Sequence, residues 1–173
     1  MKVEPSGINL LGFSNKKTEG QLGKDCPTPR MYREEGIYPD TAVIVTGKVQ
    51  MKQPKRMEIW FAELGTHPGT SVQEGCRPVL VISNDKGNEY AETVTVAPLT
   101  SKIKKPWLPT HLMVTEEHIE MNDFYDKPFR NAMLLLEQIT TIDKSAMKTY
   151  VGTVTDEIRI YEIDGAIRLQ LGV

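Results

Sequence analysis

Gly75-Cys76-Arg77-Pro78-Val79-Leu80-Val81-Ile82-Ser83-Asn84-Asp85 decides how the rest of the chain is read. Pro78 to Ser83 is a dense run of β-branched and aliphatic residues, the pattern of a strand with apolar neighbours on both faces. An arginine stands at its start and an Asn-Asp turn at its end. A guanidinium at the mouth of such a strand loses hydration unless an anionic group comes to meet it. The stretch therefore predicts a core strand with a charged site at one end.

Working outward, 173 residues suit one domain with an appendage, and 39% hydrophobic against 25% charged residues supply enough apolar material for a core. A formal net charge of −2 gives no overall basic field, so an anionic partner has to be held by local positive charge. The two cysteines, Cys26 and Cys76, show no paired spacing, and neither a disulfide framework nor a zinc site is indicated. Cys76 reads either as a small buried hydrophobe or as a thiol acidified by Arg77, the first being the commoner case. No apolar run approaches bilayer length and the N-terminus lacks an apolar signal core, so the expectation is a cytoplasmic protein with no membrane partner.

Residues 1–50 read as an N-terminal extension. Its first part, rich in Gly, Pro, Lys and Asn, has no sustained period; residues 41–49 form a β-branched run that predicts one strand. The ordered pattern covers residues 56–173. Met57 to Ala62 predicts a strand, and a Gly/Thr/Ser/Pro loop from Gly65 to Gly75 is too long for a tight hairpin, which makes it a candidate functional loop. After Ser83 come a turn at 85–88, a Thr/Val strand over Thr93–Leu99, and a basic loop, Ser101 to Trp107, that leads to His111–Val114. A polar excursion from Glu116 to Arg130 precedes the strand Ala132–Leu136. Lys144 to Tyr150 predicts a short helix, and Thr155 the N-cap of a closing helix, in which Gly165 is a weak point. Short strands with a terminal helix predict a mainly β fold, a small bent antiparallel sheet or partial barrel.

Three strand ends carry the chemistry: Arg77 opens one, Thr100 closes another, and Glu137-Gln138 close a third. Arginine offers a permanent cation with a planar fork suited to phosphate, threonine a hydroxyl, and glutamate a base. No carboxylate cluster, phosphate-cradling glycine motif or Ser/Cys-His spacing is present, so no metal or cofactor is expected. Each residue also has an ordinary reading. Arg77 is equally half of an ion pair at a strand start, Thr100 more often a plain strand terminator, and Glu137 a turn residue in solvent. Lys102, Lys104 and Lys105 usually mark a solvated loop; Trp107 beside them adds a surface on which a base can stack. His67, His111 and His118 are isolated and read as surface or packing residues.

Five ordered blocks resemble the MazF/PemK (Kid-like) toxin family: Glu58-Ile59-Trp60-Phe61-Ala62-Glu63-Leu64, Arg77 to Asp85, Ala97-Pro98-Leu99-Thr100-Ser101-Lys102, Leu108-Pro109-Thr110-His111, and Leu135 to Asp143. The resemblance runs from about Met57 to Val173 and leaves residues 1–50 without a counterpart. It implies an SH3-like small β-barrel with short peripheral helices and a C-terminal helix, usually as a homodimer. It also implies the toxin of a toxin–antitoxin pair: a metal-independent endoribonuclease acting on single-stranded RNA, with a cognate antitoxin as partner. Arg77 and Thr100 match the family's catalytic arginine and threonine, and Glu137 stands where some members carry an acidic catalytic residue. Gln73, and more loosely Ser71, match the loop beside the site. With Gln138, Lys102, Lys104, Lys105 and Trp107 they make up the RNA-binding set. Members of the same fold that poison gyrase, and degenerate toxins that only bind an antitoxin, supply the alternative of a non-catalytic binding module.

Three departures stand out. Val72 replaces the acid that many members have before the loop glutamine, with Glu74 two positions later. Thr140 stands where the family commonly has arginine, and Ala132 where it often has serine. The first weakens the loop's claim to catalysis and the second removes a phosphate or structural contact; Arg77 and Thr100 are untouched by any of them.

Overall fold

A computed structural model describes Cys26, residues 42–45 and residues 48–173, with only the backbone of 42–51. Strands β1 (Ala42–Val45) and β2 (Lys48–Met51) pair antiparallel as a separate two-stranded sheet, Val45 facing Lys48. The single strand expected over 41–49 is therefore two, turned back on each other. The rest of the extension lies outside the described residues, Cys26 excepted.

The main sheet has eight strands: β3 (Glu58–Glu63), β4 (Cys76–Val81), β5 (Thr93–Thr100), β6 (His111–Val114), β7 (Ile119–Met121), β8 (Ala132–Leu135), β9 (Thr140–Asp143) and β10 (Met147–Val154). They run β6-β8-β5-β4-β3-β10-β7, with every pair antiparallel. β5 is long enough to change neighbours: Thr93–Val96 pair with β9, and Leu99–Thr100 with β8. This exchange curls the sheet into a half-barrel.

The opening stretch behaves as its composition dictates. Leu80 and Ile82 pack with Ile59, Ala97, Leu99 and Leu134 on one face, where Ile163 and Ala166 cover them. Val79 and Val81 pack with Trp60, Ala62, Val94 and Val96 on the other. A strand with two buried faces needs apolar residues at every position, and this one has them. Glu58 is the one carboxylate buried with this sheet. Lys52 (3.1 Å), the Trp60 indole N–H (2.9 Å) and the Lys55 backbone N–H (2.9 Å) hold its two oxygens, so the cost of its desolvation is met locally.

Three local expectations are corrected. The turn expected at 85–88 is the start of helix α1 (Asp85–Tyr90), because the Asn84 side chain accepts the Gly87 N–H at 2.7 Å and caps it. The helix expected over 144–150 is a single 3-10 turn, Lys144–Ala146, followed by β10. Met147, Thr149 and Val151 are buried, and the strand pairs with both β3 and β7; that pairing outweighs local helix preference. The closing helix α2 (Glu157–Leu171) is capped by Asp156 rather than Thr155 and runs unbroken through Gly165. It ends at Gly172, whose φ of 71° is the left-handed stop that glycine makes without strain.

The cysteine reading is also corrected. Cys26 and Cys76 form a disulfide, with Cα atoms 5.3 Å apart across 50 residues of sequence, a separation within the range such bonds require. Spacing in sequence carried no sign of it, because the bond joins residues 50 positions apart and no local pattern encodes such a contact. Among the described residues no helix is long and apolar enough to cross a membrane.

Candidate active site

The charged strand mouth opens on a cavity of about 410 Å³. Gly75, at φ 69°, turns the chain into β4, and its N–H and C=O bond to Gly65 O (2.7 Å) and Leu64 N (3.1 Å). These two bonds close the neck of loop 65–75 and deliver Cys76, Arg77 and Pro78 to the cavity wall. The Arg77 Nε–H donates to the Glu74 carbonyl at 2.7 Å, which orients the guanidinium and leaves the other nitrogens without an ion pair among the described residues. The ordinary reading of this arginine, half of an ion pair, is not what the structure shows among those residues.

Thr100 ends β5 on the same cavity, 8% exposed, and its hydroxyl oxygen accepts the Lys102 N–H at 3.2 Å. The hydroxyl hydrogen is thereby left free to donate. A fixed cation and a hydroxyl donor on adjacent strands, facing one space, can together bind and polarise an oxyanion such as a phosphodiester.

The remaining candidates lie elsewhere. Glu137, in the 3-10 turn Leu136–Gln138, is not on the cavity wall; its carboxylate is 3.0 Å from Nε2 of buried His111. His111 Nδ1 sits 2.9 Å from the Lys104 carbonyl. A carbonyl can only accept, so Nδ1 donates to it; Nε2, although 3.0 Å from the carboxylate, makes no hydrogen bond among the described residues. His111 thus ties its strand to the basic loop and packs against the Glu137 turn.

Gln138 clamps the 65–75 loop: its side-chain oxygen accepts the Gln73 N–H at 2.8 Å and its amide nitrogen donates to Ser71 O at 3.4 Å. The Gln73 side-chain oxygen is buried without a hydrogen-bond partner among the described residues. Val72, in place of an acid, is 52% exposed at the loop surface. Lys102, Lys104, Lys105 and Trp107 form an exposed basic ridge, Trp107 at 76%, outside the cavity.

The other wall was not singled out in the sequence. Tyr125, Lys127, Phe129 and Arg130 come from the polar excursion, and Phe61 from β3. The Tyr125 and Phe61 rings lie 6.3 Å apart at 31°. Burial, with Asp126 adding to it, pushes the Tyr125 phenol above its ordinary value of 10.0, so it stays a neutral donor at physiological pH. The only sequence hint was the run of aromatics and cations over 124–130, which periodicity does not register.

The curled antiparallel half-barrel closed by a helix is a fold found in known proteins. Three solved structures share it: an endoribonuclease in complex with its cognate antitoxin from a mycobacterial species (23% identity, TM-score 0.52, covering 69% of this chain and 96% of that one); the toxin MazF-mt6 of Mycobacterium tuberculosis (19%, 0.51, 67% and 97%); and MazF from Deinococcus radiodurans (18%, 0.55, 69% and 97%). Residues 55–171 match the PemK-like, MazF-like toxins of type II toxin–antitoxin systems. The chain belongs to that family.

Proposed function

We propose that this chain is an endoribonuclease toxin that cleaves single-stranded RNA through the RNA's own 2′-hydroxyl. The oxygen attacks the adjacent phosphorus in line, the P–O5′ bond breaks, and the products are a 2′,3′-cyclic phosphate and a 5′-hydroxyl. The observation that carries this reading is Arg77, a guanidinium without an ion pair among the described residues, sharing a cavity with the Thr100 hydroxyl.

Arg77 stabilises the doubly charged phosphorane and Thr100 donates to a non-bridging oxygen, the preorganised electrostatics that supply the largest part of many rate enhancements. The charge that a metal would contribute is provided by the arginine, so activity persists in excess EDTA. Glu137 can serve as base only if its carboxylate leaves His111; the reading rests on Arg77 and Thr100. The exposed ridge of Lys102, Lys104, Lys105 and Trp107 tracks the strand on either side of the cut. The partners are a second copy of the chain in a homodimer and an antitoxin whose acidic segment covers Arg77 and the ridge, in the cytoplasm.

The test is incubation of the purified, reduced protein with a long unstructured RNA in EDTA, with the ends mapped. Discrete 5′-hydroxyl ends that vanish with Arg77→Ala support the reading. Intact RNA, or cleavage unchanged by that substitution, overturns it in favour of a binding module or a different site.

A further inference from the structure

We propose that the cavity beside Arg77 is a seat for one unstacked nucleobase, the base adjoining the scissile phosphate. This rests on the RNA reading and extends it to residues that neither the sequence blocks nor the family match assign. Its floor is apolar, from Pro78, Leu99 and Val151, and its far side carries the Tyr125–Phe61 ring pair. At about 410 Å³ it admits a base with its sugar but not a stacked duplex. Three cations, Arg77, Lys127 and Arg130, surround it, none with an ion pair among the described residues. Flat aromatic walls within a ring of cations suit a planar group attached to an anionic backbone.

The wall is built rather than loose. Asn122 donates its backbone N–H to Val151 O at 2.9 Å and its side-chain amide to Tyr150 O at 3.0 Å; the Tyr125 N–H closes a turn onto Asn122 O at 2.9 Å. Phe129 is 9% exposed. Continuity with Arg77 and Thr100 fixes the occupant as part of the same ligand.

Equilibrium binding of a 2′-O-methyl RNA oligonucleotide, which cannot be cut, tests this separately from cleavage. Removing one base next to the central phosphate weakens binding to the unaltered protein about five- to a hundredfold. Tyr125→Ala weakens the intact oligonucleotide to a similar extent and abolishes the difference between intact and abasic forms, while Tyr125→Phe retains both. Equal affinity for intact and abasic forms by the unaltered protein overturns the seat, whatever the variants do, and leaves the cavity to a protein side chain. If Arg77→Ala still weakens binding in that case, the ribonuclease reading stands without the seat; if no form binds, both fall.

Discussion

The two walls of the cavity were made in different ways. The β4–β5 wall places Arg77 and Thr100 at the ends of core strands, where the register fixes each side chain: Ala62 opposite Arg77 and Met133 opposite Thr100. The facing wall, residues 122–131, has no strand ladder of its own and is hung from β10 by Asn122. One wall is rigid because the sheet is; the other is rigid because a few polar contacts and one buried phenylalanine make it so. Chemistry that tolerates little displacement belongs on the first, and recognition that varies with substrate belongs on the second.

The largest effect expected from breaking this contrast is Arg77→Ala, with a loss of cleavage rate of about a hundredfold or more and an unchanged melting curve. Arg77→Lys keeps the charge but loses the fork and recovers only part of the rate. Thr100→Val removes one hydrogen bond to a charged oxygen and costs about tenfold to a hundredfold in kcat, with little change in KM. Single-turnover kinetics on a short RNA reads both.

Gly152→Ala attacks the facing wall from behind. A methyl group there would lie 2.5 Å from the Glu120 carbonyl and 2.9 Å from Ile119 across the β10–β7 pair. Backbone must shift, at a cost of about 1–3 kcal/mol, read as a lower melting temperature. Because Val151 anchors Asn122, RNA affinity falls in the same variant more than the rate at saturation. Glu137→Gln, away from the cavity, costs less than about tenfold in rate if proton transfer does not pass through it, while a loss comparable to Arg77→Ala assigns it the base.

The smallest effect is a pH dependence. The Tyr125 phenol is raised in the folded chain, so the neutral form is favoured there over the unfolded state. Its contribution to stability is complete below pH 10 and is lost as pH rises through the higher folded value. Absorbance titration of the phenol in the folded protein and in Tyr125→Phe isolates it.

Much of the β4–β5 wall was legible in the sequence because its signals are local. Val79 to Ile82 announce a strand buried on both faces, and a charge at the head of such a strand has few ordinary explanations. The blocks around Trp60, Thr100 and Leu135 fixed the order of the remaining strands and the family. The illegible parts depend on contacts distant in sequence. Met147–Val154 could be recognised as a strand only by its pairing with Glu58–Ala62, Cys26 as a disulfide partner only by its place beside Cys76, and Glu137 as a neighbour of His111 only through the β6–β8 register, which sets His111 against Leu135. Tyr125 and Phe61 are 64 positions apart and meet only once the sheet has curled.

The sequence by itself determined the kind of fold, the family and the strand ends that hold Arg77 and Thr100. Apolar alternation and residue chemistry act over a few positions and need no partner to be read. Tertiary structure alone decided that those two groups share a cavity that Glu137 does not line. It also decided that an aromatic, cationic wall closes that cavity and that a disulfide joins Cys26 to Cys76 on its lining. Each of these is a relation between segments, set by sheet curvature and register, quantities that no single stretch of residues contains.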